Sequence, residues 1–226
     1  MSVQELAASP LFAGLDPAYL EKLARIALLK KFERGQTVFA EGDPGNGFYL
    51  VQSGRFKIFK LSFDGKEQIL HLLGAGEPFG EVAVFTGRSF PAAAEAMEKG
   101  RAFFFARDDF VRLIATEPSL AMNMLAVLSM RLKKFAQMIE SLSLKEVPGR
   151  LATHLLLLSD QQDGAARLRL SITKAQLASL LGTIPETLSR ILAKMSREGF
   201  IALDGPMITI ANREGLAELA MGAIRI

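Results

Sequence analysis

The chain has 226 residues, of which 50% are hydrophobic and 23% charged, and its net charge at pH 7 is +3. This length predicts between one and two domains, with a core large enough to fold without covalent cross-links. The sequence contains no cysteine, and its only histidines are His71 and His154. This composition excludes disulfides, thiolate-bound zinc, an iron–sulfur cluster held by this chain and a multi-histidine metal centre.

Neither the N-terminus nor the middle of the chain has the pattern of a targeting or membrane segment. The first five residues, MSVQE, lack the basic and apolar regions of a signal peptide. The longest uncharged run near the middle, residues 118–130, has 13 residues, which is too short to span a bilayer. We therefore expect a cytoplasmic protein with no membrane partner.

Residues 1–117 are predicted to form a β-sandwich or barrel that follows a short helix. Apolar spacing predicts an amphipathic helix over residues 17–29. Glycines separate short apolar runs after it, and Gly54 and Gly65 mark turns between such runs. Strands that recur at about 8–12-residue spacing are typical of a sandwich or barrel. The predicted strands cover residues 37–40, 48–52, 55–61, 68–73 and 101–106.

Residues 118–142 are predicted to form one long helix. Apolar residues alternately four and three apart make a heptad a/d seam of three repeats. The seam consists of Ala121, Leu125, Leu128, Leu132, Phe135, Ile139 and Leu142. Such a helix either packs only on its own domain or pairs with a second copy. Because other faces of its first half are also apolar, we expect it to do both.

Residues 143–226 are predicted to form a winged helix-turn-helix. A helix around Leu177, a turn at Gly182 and a second helix that begins at Pro185 have the spacing of this motif. Residues 201–203 and 207–210 then follow as the two strands of a hairpin. A hairpin in this position forms the wing.

The second helix of this motif carries polar residues suited to reading DNA. Glu186 and Arg190 are four residues apart and therefore share a face, which Ser189 adjoins. As a solvent-facing ion pair they would contribute only about 0.2–0.5 kcal/mol. In a major groove, arginine donates to guanine and glutamate accepts from cytosine, at about 1–3 kcal/mol of discrimination per contact. We predict that these three residues read bases. Contacts to DNA phosphates are predicted for Lys174, Thr187, Lys194 and Arg197.

Three separated segments resemble the Crp/Fnr family of transcriptional regulators. They are GTIPETLSRIL at 182–192, DGKEQIL at 64–70 followed by Gly76 and FGE at 79–81, and VPGRLA at 147–152. The resemblance implies an α+β fold. It comprises an N-terminal cyclic-nucleotide-binding-type β-roll (a double-stranded β-helix), a long dimerisation helix and a C-terminal winged helix-turn-helix. It also implies a homodimer on double-stranded DNA, with RNA polymerase as a contact of an activator.

The Glu-x-x-Ser-Arg arrangement at 186–190 is similar to that of Fnr and Dnr members, which include regulators of nitrosative stress and of hybrid-cluster proteins. This similarity implies an inverted repeat of TTGA-type half-sites, about 34 Å apart for a two-fold dimer. Cyclic-AMP-type members carry an additional arginine just before the glutamate. Here that position is Pro185, whose side chain cannot donate a hydrogen bond to guanine.

The effector region departs from the best-known members of the family. The resemblance implies that a cyclic-nucleotide binder carries an Arg-Ser pair ten and eleven residues after the glutamate that matches Glu81. Those positions are Pro91 and Ala92 here, and an Arg-Ser pair lies three residues earlier at 88–89, where a loop deletion would bring it into place. The positions that contact the purine on the long helix are Phe135 and Ala136, whose side chains cannot hydrogen-bond a base. We therefore expect an effector other than cyclic AMP, with a cyclic-nucleotide-responsive regulator as the alternative.

His71 is the residue of this region that could hold a metal. Strand alternation predicts that Ile69, His71 and Leu73 share a face, and the resemblance implies that His71 borders the effector cavity. A neutral imidazole there could ligate the iron of haem b, as in Dnr-like regulators associated with nitric oxide. Alternatively, His71 is an ordinary hydrogen-bonded histidine. The predicted effector pocket comprises His71, Leu73, Phe79, Gly80, Glu81, Pro91 and Phe135.

A catalytic role for the same roll is the remote alternative. Cupin-like enzymes hold their metal with several histidines and a carboxylate, and the predicted roll contains a single histidine. We therefore expect no catalytic site.

Overall fold

The computed structural model describes residues 3–7, 9–205 and 207–226. They form the α+β architecture that the resemblance implies, with an N-terminal β-roll, a long helix and a C-terminal winged helix-turn-helix. The chain divides into two compact units, Met1–Lys133 and Lys134–Ile226, and the division falls within the long helix. The first two residues of the N-terminal pattern considered above lie outside the described residues.

The first unit contains two four-stranded antiparallel sheets with helices at both ends of its sequence. Its helices are α1 (Val3–Ala7), α2 (Pro17–Ile26), α3 (Glu81–Thr86), α4 (Arg107–Thr116) and the first part of α5 (Pro118–Leu144), with a 3-10 turn at Pro10–Phe12. Its strands are β1 (Ala27–Phe32), β2 (Thr37–Phe39), β3 (Gly47–Ser53), β4 (Phe56–Leu61), β5 (Glu67–Leu73), β6 (Pro78–Phe79), β7 (Ala93–Ala96) and β8 (Gly100–Ala106). The strand orders are β1-β8-β3-β6 and β2-β7-β4-β5.

Helix α2 begins at the predicted residue but is shorter than predicted. Pro17 is its first residue, and the Asp16 carboxylate accepts a hydrogen bond from the Ala18 N–H at 2.8 Å. The prediction that the helix continues to residue 29 is wrong, because it ends at Ile26. Residues 27–29 belong to β1 instead, where pairing with β8 satisfies the backbone donors and acceptors.

All five predicted strands are present, and each predicted end lies within one residue of an observed end. A register shift in β5 changes which residues share a face. The pairing with β4 skips Leu70: Phe59 lies opposite Ile69, whereas Ile58 lies opposite His71. One extra residue reverses the alternation of side chains. The prediction that Ile69 shares a face with His71 and Leu73 is therefore wrong for Ile69.

Aromatic side chains fill the cores on the two faces of the β1-β8-β3-β6 sheet. On the face covered by helices, Phe48 stacks on Phe105 with ring centroids 4.9 Å apart, and Phe110 of α4 meets Phe48 edge-on at 4.6 Å. In the interior of the roll, Phe39 stacks on Phe90 at 3.8 Å. Because side chains alternate along a strand, adjacent residues of β3 and β8 pack in different cores.

The second unit is the winged helix-turn-helix. Its helices are the end of α5, α6 (Val147–Asp160), α7 (Lys174–Leu180), α8 (Pro185–Arg197) and α9 (Arg213–Met221). Its strands β9 (Arg167–Arg169), β10 (Ile201–Asp204) and β11 (Met207–Ile210) pair in the order β10-β11-β9. Gly182 has φ +66° in the turn between α7 and α8, a backbone conformation that residues with a Cβ rarely adopt.

Candidate DNA-binding surface and effector site

The predicted recognition helix α8 separates an apolar face from a polar one. Leu188 and Leu192 are buried in the core of the second unit. Glu186, Ser189 and Arg190, the predicted base-reading residues, are all exposed. Helical geometry places these three side chains around the solvent side of the first two turns. The N-terminal turns of this helix therefore present a carboxylate, a hydroxyl and a guanidinium to solvent.

Arg190 and Glu186 do not neutralise each other. Arg190 Nη2 donates to Thr187 Oγ1 at 3.2 Å, which orients the guanidinium along the helix. Within the described residues, neither Glu186 nor Arg190 takes part in an ion pair. The solvent-facing ion pair considered above is therefore not formed. Both groups keep their hydrogen-bonding capacity for an external partner.

Basic residues surround this face of the second unit. Of the residues predicted to contact phosphates, Lys174, Lys194 and Arg197 are exposed, and Thr187 is half-buried. Lys174 is the first residue of α7, whose start is fixed by a capping box between Thr173 and Gln176. Lys194 Nζ lies 4.0 Å from a Glu198 carboxylate oxygen, a solvent-screened pair.

Sequence reasoning missed β9 and the two arginines that it carries. Arg167 and Arg169 are exposed at the ends of this strand, which pairs with β11 of the wing. Arg167 Nη2 lies 3.4 Å from a carboxylate oxygen of Asp204, the last residue of β10. The alternation Arg-Leu-Arg-Leu at 167–170 was the available signal, because buried Leu168 occupies the inner position.

His154 lies on α6 of the same unit, as predicted. Burial lowers the pKa of His154, because desolvation disfavours the charged imidazolium. Its position within the core-packing helix indicates a structural role.

The long helix α5 carries an exposed apolar stripe. Leu120 and Met124 are buried in the helix-covered core of the first unit. Leu125, Leu132 and Ile139 of the predicted seam are 56%, 69% and 65% exposed. The remaining seam residues Ala121, Leu128, Phe135 and Leu142 are half-buried. Large apolar side chains exposed at heptad spacing are typical of a helix that pairs with another helix.

The start of α3 forms the other candidate site. Phe79 is buried, Gly80 has φ +78°, and Glu81 begins the helix with a side chain that is 2% exposed. Arg131 of α5 donates from Nη1 to Glu81 Oε1 and from Nη2 to the Pro78 carbonyl oxygen at 2.7 Å. Glu81 Oε2 is buried without a hydrogen-bond partner among the described residues. This ion pair connects α3 to α5 inside the first unit.

Arg131 was missed because the heptad analysis of α5 considered apolar positions only. Its signal was a lone arginine in the otherwise uncharged run from residue 118 to 132.

The remaining residues of the predicted effector pocket lie in different environments. Leu73 is buried with Phe79 in the roll interior, but Pro91 is exposed in the loop before β7. The contribution of Pro91 to an effector pocket stays a prediction. Phe135 lies on α5 beyond the division between the two units.

The surroundings of His71 do not fit a haem. His71 Nε2 lies 3.5 Å from Glu77 Oε1, so the nitrogen that would ligate iron faces a carboxylate. His71 shares its face of β5 with Leu73, and the interior behind them is filled by rings. Phe79 stacks on both Phe56 and Tyr49, at 5.5 and 5.1 Å. A porphyrin would have to displace these rings, and the function proposed below therefore does not include haem.

Two further findings concern groups of potential metal ligands and the length of apolar helices. Residues 3–7, 9–205 and 207–226 contain no group of three or more His, Asp or Glu side chains that could hold a metal ion. In that same part of the chain no single helix is apolar and long enough to cross a membrane. There, α4 and α5 meet that requirement only when taken together, and they are bent by 115° at their junction.

Comparison with known protein families gives two matches. Residues 29–117 match the cyclic nucleotide-binding domain, and residues 149–219 match the Crp-like helix-turn-helix domain. The first match covers most of the β-roll and α4. The second runs from the start of α6 into α9 and contains the predicted recognition helix.

Individual proteins match over nearly the whole chain. The CRP-like cAMP-activated global transcriptional regulator of Mycobacterium tuberculosis is 34% identical over 95% of this chain and 98% of that protein. The fumarate and nitrate reduction regulatory protein of Escherichia coli is 32% identical over 91% of this chain and 84% of that protein. Among solved structures, FixK2 from Bradyrhizobium japonicum has a TM-score of 0.74 at 25% identity, covering 86% of this chain and 97% of that one.

Proposed function

The chain belongs to the Crp/Fnr family of DNA-binding transcriptional regulators, and on this basis we propose that it acts as a homodimer on a TTGA-type inverted repeat. Each protomer would read one half-site with Glu186, Ser189 and Arg190. The observation that carries this proposal is the solvent-exposed, mutually unpaired Glu186 and Arg190 at the start of α8. The Glu-x-x-Ser-Arg sequence at 186–190, preceded by Pro185 instead of an arginine, supports our proposal of an Fnr/Dnr-like regulator.

Base recognition follows from the chemistry of these two side chains. A guanidinium donates two parallel hydrogen bonds to O6 and N7 of guanine, and a carboxylate accepts from N4 of the cytosine paired with a guanine. Ser189 can donate or accept beside them. Lys174, Thr187, Lys194 and Arg197 would hold the sugar–phosphate backbone and fix the register of the helix in the groove.

Dimerisation would use the exposed stripe of α5. Leu125, Leu132 and Ile139 are large, apolar and more than half exposed, and pairing them with a second copy removes this surface from water. A two-fold dimer presents two recognition helices, which requires an operator with inverted half-sites about 34 Å apart. RNA polymerase is the further partner that we propose for an activating regulator of this family.

The effector of the roll is proposed to be a small ligand other than cyclic AMP. The side chains of Pro91 and Ala92 offer no cation or hydrogen-bond donor to a cyclic phosphate, and Glu81 is already engaged by Arg131. A ligand that changes the Glu81–Arg131 contact would change the pose of α5, and hence the spacing of two recognition helices. The second candidate is a cyclic-nucleotide-responsive regulator, favoured by the 34% identity to a cAMP-activated relative. Micromolar binding of cyclic AMP in a calorimetric titration would favour this second candidate.

The DNA-reading proposal is tested by fluorescence anisotropy with Arg190→Ala and a labelled duplex that carries a TTGA inverted repeat. Loss of one bidentate contact per half-site should weaken binding by about 5–150-fold for each half-site. The variant should also lose its preference for the operator over a duplex whose guanines are replaced. Arg197→Ala is the matched control, because loss of a phosphate contact weakens both duplexes equally. Unchanged affinity and preference in Arg190→Ala would refute base reading by this helix.

A further inference from the structure

A row of hydrogen-bond donors crosses three strands at one end of the β1-β8-β3-β6 sheet. Lys31 of β1 lies directly opposite Arg101 of β8, and Arg101 lies opposite Ser53 of β3. Directly opposite residues project from the same face, with Cβ atoms about 4.5–5.5 Å apart. An ammonium, a guanidinium and a hydroxyl are therefore adjacent on one face of the sheet. None of them belongs to the DNA-binding surface or to the site around Glu81.

This row contains two like charges that the fold leaves uncompensated. Directly opposed cations destabilise an antiparallel pair. In the described part of the chain, neither Lys31 nor Arg101 forms an ion pair, and Arg101 Nε donates to Ser53 Oγ at 3.2 Å. The nearby carboxylate of Glu33 pairs with a different cation, because Lys99 Nζ lies 3.6 Å from it. The sheet thus tolerates a repulsion that a bound anion would relieve.

A β-bulge creates the row. The β3–β8 register slips by one residue at Gln52, so that Ser53 faces Arg101. With regular pairing, Gln52 would face Arg101 and Ser53 would face Gly100. Bulges are over-represented where a strand re-aims a side chain next to a functional site. The bulge therefore indicates that the Ser53 hydroxyl is directed to the cations.

The donors border an open cleft. Its volume is about 490 Å³, and it is lined by Lys31, Phe32, Glu33, Ser53, Lys99, Gly100 and Arg101. Phe32 is buried, 7% exposed, and its ring is held edge-on against Phe56 at 5.6 Å. Because side chains alternate along β1, the Phe32 ring lies on the face opposite Lys31, and the side chains beside the donors are polar.

We propose that this cleft binds a small phosphate dianion, either inorganic phosphate or a phosphate monoester, between Lys31 and Arg101. A guanidinium matches two phosphate oxygens with parallel hydrogen bonds, and an ammonium binds phosphate as a point charge. Ser53 supplies a neutral donor at the end of the row. A charge near −2 offsets both cations and converts their repulsion into two attractions.

The test measures thermal unfolding and calorimetric binding with the full chain. Sodium phosphate and glycerol 3-phosphate are each compared with sodium chloride at equal ionic strength. Because phosphate also stabilises folded proteins without a binding site, we expect the excess of the Tm rise in phosphate over chloride to shrink in Lys31→Ala but not in Lys30→Ala. Lys31→Ala should also weaken phosphate binding by about tenfold or more. Binding of inorganic phosphate alone would identify the free ion as the ligand, and binding of both probes would include monoesters. Either result supports the site.

Lys30→Ala is the matched control, because Lys30 is an exposed lysine of the same strand that faces Ala102 on the other side of the sheet. It should bind phosphate like the parent chain. In chloride, Lys31→Ala should be at least as stable as the parent, because removing one cation relieves the repulsion. Equal losses of binding in Lys30→Ala and Lys31→Ala, or equal Tm shifts in phosphate and chloride, would overturn the proposal.

Discussion

Replacing Arg131 by leucine should destabilise the first unit by about 3–5 kcal/mol, because this removes one partner of a buried ion pair. The side chains of Glu81 and Arg131 are only 2% and 14% exposed, so water cannot solvate a carboxylate left alone. Glu81 Oε2 already has no hydrogen-bond partner among the described residues. The substitution also leaves the Pro78 carbonyl without the donor that lies 2.7 Å away. No other cation pairs with Glu81 in this part of the chain.

The double variant Glu81→Leu/Arg131→Leu separates this charge effect from a simple loss of packing. Removing both charges should cost much less than removing Arg131 alone, since no unpaired carboxylate remains. Urea unfolding can be followed by tyrosine fluorescence, because Tyr19 and Tyr49 are the only tyrosines and both belong to the first unit. A loss below about 1 kcal/mol in Arg131→Leu, or a double variant less stable than the single one, would refute the reasoning.

Two further predictions concern the second unit. Burial lowers the pKa of His154, so the unfolded chain binds the proton first and stability falls as pH drops below about 6.5. A series of thermal unfolding curves from pH 7.5 to pH 5 should show this loss, and His154→Gln should flatten it; an unchanged slope would contradict the assignment. Thr173→Ala should destabilise the unit by about 1 kcal/mol through loss of the α7 cap, whereas Thr173→Ser should retain the stability measured by chemical unfolding.

The elements predicted well are those whose signals are local. Strands β3, β4, β5 and β8 are apolar runs bounded by glycine turns, and the helix-turn-helix is marked by Gly182 and Pro185 within a few residues. Strand β1 was mistaken for the end of α2, because the apolar residues at 27–29 suit either structure. The pairing partner of β1 lies about seventy residues further along the chain, and this distant ladder decides the conformation.

The candidate DNA-binding face was predictable because it lies within one helix. Helical periodicity alone places Glu186, Ser189 and Arg190 opposite the buried Leu188 and Leu192. The predicted effector pocket does not follow from such a local pattern. It depended on counting along the chain from Glu81, and such counting carries no information about which residues fill the space. Pro91 is consequently at the surface, and Arg131 occupies the place beside Glu81.

By itself the sequence determined the order of a β-sandwich or barrel, a long helix and a winged helix-turn-helix, together with the polar face of α8, because periodicity and turn chemistry act over a few residues. The tertiary structure alone decided the Glu81–Arg131 ion pair, which joins residues 50 positions apart. It also decided the row formed by Lys31, Arg101 and Ser53, which depends on strand register and a bulge. Register is set by the packing of whole sheets, so no local pattern in the chain contains it.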